Sequence, residues 1–284
     1  MKNLAWKLID ATLQKFWCAH RSIVQKNRQF KDIHSGETCF IFGNGASLKY
    51  YDISKLPKNP AIVCAYSLVD KRMHDLNIKY YAFNESYSLY PFVFNTYPHI
   101  RKFQRNKILN IFAESLKKYK NVEVITNLTN FYSTVLPRSR TNYIYHFGRR
   151  NVLSCDMSDS FGACAGALDY MLGIAKYMGF SKAIILGCDY LGSPPQMGHF
   201  YYDSDPFWGD YNEEYCKRVK KVVNHFEIDV LAILPEGSHS PDFEFDTYEN
   251  HFGLERYCRE NYEFIDPYFL SFMRSASKSD QILM

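Results

Sequence analysis

The chain has 284 residues, enough for one large α/β domain, and its 46% hydrophobic and 23% charged residues exclude a disordered polymer. A net charge of only +4, without basic clusters, argues against a nucleic-acid partner, and no apolar run is long enough for a membrane-spanning helix. The eight cysteines are scattered with no C-x-x-C pair, several inside apolar runs such as Cys39-Phe40-Ile41-Phe42. That is the pattern of free thiols in a reducing compartment, and with no signal peptide at the start a cytoplasmic location is expected.

Residues 1–28 read as one amphipathic helix set apart from the domain of residues 29–284. Leu4, Leu8 and Phe16 recur at helical spacing, with Trp6, Ile9, Leu13 and Trp17 widening the stripe. Lys2, Lys7, Lys15, Arg21, Lys26 and Arg28 surround it. Such a helix either lies peripherally on the inner face of a membrane or packs on its own domain or on a second subunit of a homo-oligomer. From Thr38 onward short apolar runs alternate with helical stretches. The pattern predicts strands at Cys39–Phe42, Ala61–Cys64, Tyr80–Phe83, Val122–Ile125, Tyr143–Phe147, Ala183–Leu186 and Val230–Leu234. It predicts helices over about 111–119, 163–178 and 211–226. Apolar strands separated by helices indicate a doubly wound, mostly parallel, Rossmann-like α/β sheet. Residues 190–210, rich in aromatics, glycine and proline, are the candidate lid.

The sharpest motif is Phe40-Ile41-Phe42-Gly43-Asn44-Gly45-Ala46-Ser47-Leu48, a strand running into Gly-Asn-Gly. Glycines there permit a tight turn whose N–H groups approach a phosphate, although the third glycine of a dinucleotide fingerprint is missing. Gly43 to Lys49 resembles the G-N-G-P-S-L-K opening of the bacterial sialyltransferases that cap lipooligosaccharides, with Ala46 in place of the proline. In the same order, Ile62 to Ala65 is similar to that family's second strand and Tyr81 to Ser86 to its F-Y-N-P-S. Ala175 to Phe180 and Ile184 to Tyr190 resemble its A-x-x-L-G-Y…I-Y-L-S-G-I-D-F, and Leu231 to Pro235 its closing strand. Flagellin-glycosylation proteins and hydroxymethylpterin diphosphokinase-like proteins share these motifs.

The resemblance implies a glycosyltransferase that moves an acidic, sialic-acid-like sugar from a CMP-activated donor to a bacterial surface glycan or glycolipid, with inversion. It places nucleotide and donor binding at Gly43, Asn44, Gly45, Ala46 and Asn84. Ser160 and Gly162 stand where the family meets the donor carboxylate. Asp189 ends a strand at the carboxyl edge of the sheet, as a ligand group or as a turn cap. Arg149, beside Arg150, is either a partner for phosphate or a solvated surface cation.

Sugar transfer needs a base for the acceptor hydroxyl, and His199 in Gly198-His199-Phe200-Tyr201-Tyr202-Asp203 is the candidate by type and region. The family's own histidine falls further along its chain. Tyr201 and Tyr202 are implied near the leaving phosphate. Asp203-Ser204-Asp205 spells the D-x-D of metal-dependent transferases but sits inside the lid, so neither metal nor other cofactor is expected. Two rival classes remain open: a pterin diphosphokinase using ATP and Mg²⁺, and a non-catalytic glycan-assembly protein.

Overall fold

The structure is a computed structural model that describes residues 15, 17–83, 102–133, 135–145, 153–162, 166–257 and 260–280. The strands of its main sheet are β1 (Thr38–Phe42), β2 (Ala61–Cys64), β3 (Ile78–Phe83), β4 (Glu123–Asn127), β5 (Thr141–Ile144), β6 (Lys182–Leu186), β9 (Asp229–Leu234) and β10 (Glu244–Thr247). Two short strands, β7 (Gln196–Met197) and β8 (Phe207–Trp208), form a separate antiparallel ribbon. The helices are α1 (residues 17–25), α2 (Lys102–Lys118), α3 (Ala167–Tyr177), α4 (Glu213–Phe226), α5 (Tyr248–Phe252), α6 (Asn261–Phe264) and α7 (Pro267–Asp280).

Among the described residues the main sheet has eight strands in the order β10-β9-β6-β1-β2-β3-β4-β5, and every pairing in it is parallel. Burial on both faces explains the continuous apolar runs. Within β1, Cys39 and Ile41 face one core while Phe40 and Phe42 face the other, and β6 and β9 split the same way. Buried residues of α3 and α4 fill the first core, and buried residues of α2, α6 and α7 the second. This is the doubly wound α/β fold expected. The chain leaves β1 for β2 on one side, and β6 returns to the other, so the strand order reverses between β1 and β6. In open α/β sheets ligands bind at the carboxyl ends of the strands beside such a reversal.

The predicted strands are all present, with ends shifted by a few residues. The fifth stops at Ile144 rather than Phe147, and residues beyond Tyr145 lie outside the described ones. The helix foreseen from 111 begins earlier, at Lys102. Strand β10 was not foreseen, because Glu-Phe-Asp-Thr at an exposed sheet edge carries no apolar run. Helices α5 to α7 were likewise missed, although Tyr248, Phe264 and Phe269 are buried in the second core.

The described part of the first segment lies beside β5. Val24 is buried with Tyr143 and Tyr145 beside β5, and Trp17 lies on the Tyr145 ring at 5.2 Å. Asn27 donates 2.8 Å hydrogen bonds to the carbonyls of Tyr143 and Met157. From Trp17 onward this segment packs on its own domain; Trp6 and Leu4 to Leu13 lie outside the described residues.

One buried ion pair ties the second core to the end of β1. Arg72 Nη2 meets Asp70 Oδ2 at 2.6 Å, and both side chains are buried. The same guanidinium donates to the Leu48 and Tyr51 carbonyls at 3.0 Å and stands 4.0 Å over the Phe264 ring. Removing one partner strands the other charge in the core, so Arg72→Met is expected to lower unfolding free energy by about 3–5 kcal/mol. Urea denaturation checks this, and the double variant with Asp70→Leu should recover part of the loss.

Candidate active site

At the carboxyl ends of β1 and β6 the structure opens a cleft of about 570 Å³. Its floor is Gly43, Asn44 and Gly45 from β1, Cys64 from β2, and Gly187, Cys188 and Asp189 from β6. Leu168 and Met171 of α3 and Tyr215 of α4 form one wall, and Gln196 to His199, Tyr202, Asp205 and Phe207 form the other.

The two strand ends are clasped across the floor. Asp189 accepts hydrogen bonds from the Ser47 backbone N–H at 2.9 Å and from Ser47 Oγ at 2.5 Å. It thereby holds the start of the 3-10 turn Ala46–Tyr50 that follows the glycine loop. Asp189 also lines the cleft. The glycines serve this contact first. A Cβ on Gly45 would stand 2.5 Å from Asp189 Oδ2, and one on Gly43 would collide with the Gly187 carbonyl. The expected phosphate cradle is largely spent: the Gly43 and Gly45 N–H groups bond to Leu186 and Gly187 carbonyls, and Ser47 and Leu48 to Asp189 and Gly45. Only a side chain or the remaining N–H groups of this loop can meet a ligand. The Asn44 amide sits at that edge, between Ser67 Oγ at 3.2 Å and Cys64 Sγ at 3.8 Å.

His199 is held over the same loop. Its Nδ1 lies 3.1 Å from the Asn44 carbonyl, the Phe200 N–H donates to that carbonyl, and His199 bridges Gly45 backbone to backbone. A carbonyl only accepts, so Nδ1 carries the ring proton and Nε2 keeps its lone pair. Burial pushes the imidazole below its usual range and so favours the neutral ring, and the Asn44 contact opposes that shift only in part. Tyr201 stacks on the ring at 5.1 Å and Tyr202 meets it edge-on at 4.9 Å.

The predicted residues therefore divide. Gly43, Asn44, Gly45, Asp189, His199 and Tyr202 come together around one cleft. Tyr201 does not line it: the ring is buried in the second core against Phe269 at 5.5 Å and supports His199 from behind. Ala46 is buried beneath Gly198. Ser160 and Gly162 lie in a loop outside the cleft, where the buried Phe161 packs on Tyr170 at 5.4 Å. Asn84 and Arg149 lie outside the described residues. Sequence reasoning passed over Tyr215 and Gln196. Tyr215 stands in the first turn of α4, where Asn212 caps its N–H at 3.0 Å, a start signal that was legible without its function being so.

The aromatic segment foreseen as a lid is anchored through its middle. Phe200 and Tyr201 are buried, and Lys49 Nζ bonds the Tyr202 carbonyl at 2.5 Å. Arg274 Nε holds Asp203 Oδ2 at 2.6 Å. Only the ribbon of β7 and β8 overhangs, with Phe207 and Trp208 exposed. Among the described residues no three His, Cys, Asp or Glu side chains gather as metal ligands would.

No family model and no curated protein sequence matches the chain. Among solved structures it is similar to the Campylobacter jejuni sialyltransferase CstII in complex with cytidine-5'-monophosphate, at 12% identity and TM-score 0.42, covering 82% of this chain and 94% of that one. It is similar to the monofunctional alpha-2,3-sialyltransferase Cst-I of the same organism, at 16% identity and TM-score 0.40, covering 88% and 96%. A third similar structure is CST-II with a trisaccharide acceptor and CMP, at 14% identity and TM-score 0.41, covering 81% and 95%.

Burial pushes the Asp189 carboxyl from an ordinary 3.8 up to about 6, against the pull of the Ser47 hydrogen bonds. Between these values the folded protein holds a proton that the unfolded chain has released, so stability falls as pH rises from about 4 to about 6. The expected loss is roughly 2–3 kcal/mol. Asp189→Asn should remove this slope, as measured by urea unfolding across that range.

Proposed function

We propose that this chain is a glycosyltransferase that moves an acidic, sialic-acid-like sugar from a CMP-activated donor to a bacterial surface glycan, with inversion and without a metal ion. The observation that supports it most is His199: a neutral imidazole, its Nδ1 engaged by the Asn44 carbonyl, at the wall of the switch-point cleft. Among the described residues no hydrogen bond occupies Nε2. The acid sugar and cytidine nucleotide come from the sequence resemblance and not from the cleft's shape.

In this reading the acceptor hydroxyl attacks the anomeric carbon of the donor while Nε2 of His199 takes its proton. The bond from that carbon to the phosphate oxygen breaks through an oxocarbenium-like state, and CMP leaves with the electron pair. A single displacement inverts the centre. Tyr202 lines the cleft, and burial holds its phenol above the usual range, so it remains a neutral donor for the leaving phosphate. Asn44 contacts the nucleotide from the floor, and Arg149 is proposed as a further phosphate partner. The diphosphokinase alternative would draw on Asp203 and Asp205, but Asp203 is already paired with Arg274 and Asn261.

His199→Ala is expected to lower turnover by ~10²–10⁴-fold while leaving nucleotide affinity nearly unchanged. Because burial lowers this pKa, the wild-type rate should rise with pH through a limb below the usual imidazole range, and the variant should lack it. Retention of most turnover by the variant would eliminate this base. A thermal-shift series with CMP, UDP, GDP, ADP and ATP, with and without Mg²⁺, tests the donor class: CMP should raise the melting temperature regardless of Mg²⁺. A shift by ATP that requires Mg²⁺ would instead support the diphosphokinase.

No described helix is long and apolar enough to cross a membrane. Peripheral contact is proposed for the aromatic and basic start of the chain. Removing residues 2–14 should release the protein from anionic liposomes and spare its melting temperature, because the buried Val24 and Asn27 remain. Flotation that is unchanged by the deletion would assign that stretch no role at the bilayer.

A further inference from the structure

The mouth of the large cleft carries exposed apolar side chains. Phe207 is 64% exposed, and Met197 and Tyr202 are exposed as well, yet all three line the cleft. Met197 and Phe207 are direct cross-strand partners in the ribbon of β7 and β8, and the Gly209 N–H closes that ribbon on the Pro195 carbonyl at 3.0 Å. Side chains directly opposite each other share one face of an antiparallel pair, so these two present a single apolar surface to the cleft. The candidate base is close by along the same wall, because Tyr202 meets the His199 ring edge-on at 4.9 Å.

The charge of this rim is one-sided. Residues 195–210 hold Asp203, Asp205 and Asp210 and no lysine or arginine. Arg274 neutralises Asp203, and Lys49 is bonded to the Tyr202 and Ser204 carbonyls. Among the described residues no cation pairs with Asp205 or Asp210. Asp205 stands two positions before Phe207 and lines the same cleft. A carboxylate accepts hydrogen bonds from hydroxyl groups, and an aromatic ring takes the apolar C–H face of a sugar. A hydroxyl-rich, uncharged ring satisfies both at once. An acidic sugar at this rim would meet Asp205 as a like charge, and a purely apolar ligand would desolvate that carboxylate without supplying a donor.

We infer that Phe207 and Asp205 select the acceptor: the Phe207 ring stacks on the face of an uncharged sugar while the Asp205 carboxylate accepts from its hydroxyls. The assignment to the acceptor rests on the transfer reaction proposed above, which brings the acceptor hydroxyl to His199. The preference for an uncharged, hydroxyl-bearing ring rests on the rim itself.

The test uses saturation-transfer NMR on the full chain, with and without saturating CMP. Galactose and glucose are the uncharged probes, and galacturonate and glucuronate are their charged counterparts. At least one of the two sugars should bind, and about fivefold more tightly than its own uronate, the size of a like-charge contact in water. Phe207→Ala should weaken that sugar about three- to tenfold, and Phe207→Trp should keep it. Asp205→Asn should abolish the preference over the uronate. Both side chains are exposed, so the melting temperature should not change and a loss of binding is not a loss of fold. CMP affinity, measured by calorimetry on the same proteins, should be unchanged as well. Absence of binding by both sugars in both conditions, a uronate that binds as tightly as its sugar, full binding by Phe207→Ala, or an unchanged preference in Asp205→Asn would each overturn the inference. So would a loss of CMP affinity in Phe207→Ala, which would give the ring to the nucleotide. If CMP fails to bind while sugar binding depends on Phe207 and Asp205, the sugar rim stands and the nucleotide reading falls.

Discussion

The site depends on one short contact, the clasp of Ser47 by the buried Asp189 carboxylate. The two residues are 142 positions apart in the chain, and the clasp closes because β1 and β6 lie side by side in the sheet. It turns the chain after Gly45 into a 3-10 turn, consumes the N–H group of Ser47, and presses the two strand ends together so closely that Gly43 and Gly45 admit no side chain. Its carboxylate partner, Asp189, lines the large cleft. Burying a carboxyl where its charge is poorly solvated costs stability, and two hydrogen bonds from Ser47 offset part of that cost.

The clasp also sets the position of the candidate base. Asn44 is fixed between the two glycines, and its carbonyl accepts from both the Phe200 N–H and the His199 ring. The imidazole thus inherits its placement from backbone geometry rather than from an acidic side-chain partner. A carboxylate in that position would raise the pKa of the ring, whereas a neutral carbonyl leaves desolvation dominant and the ring unprotonated. The stacked Tyr201 behind it joins this arrangement to the second core, where Phe269 of α7 completes the packing.

Anchoring of the aromatic segment changes what can move. Lys49, Asn261 and Arg274 fasten Tyr202 to Ser204 from three different elements, so the segment beside His199 belongs to the scaffold. The ribbon of β7 and β8 exposes Phe207 and Trp208, and Phe207 lines the large cleft. Groups fixed in this way need no reordering when a ligand arrives.

The apolar runs of β1, β2, β6 and β9 determined a buried parallel sheet by themselves, since a strand covered on both faces must be apolar at every position. The Gly-Asn-Gly turn at the end of β1 was equally legible, as was the aromatic stretch containing His199, because turn chemistry and composition are local. Tertiary structure alone decided what those residues do. The glycines make room for Gly187 and Asp189, Tyr201 packs in the core while Tyr202 lines the cleft, and Ser160 and Gly162 fall outside it. Strand β10 escaped notice because an exposed edge needs few apolar residues of its own, and helix α7 was missed although it buries Phe269, Leu270 and Phe272. Local pattern reports which face of an element is buried, whereas the pairing of a polar atom depends on which distant segment the sheet order brings beside it.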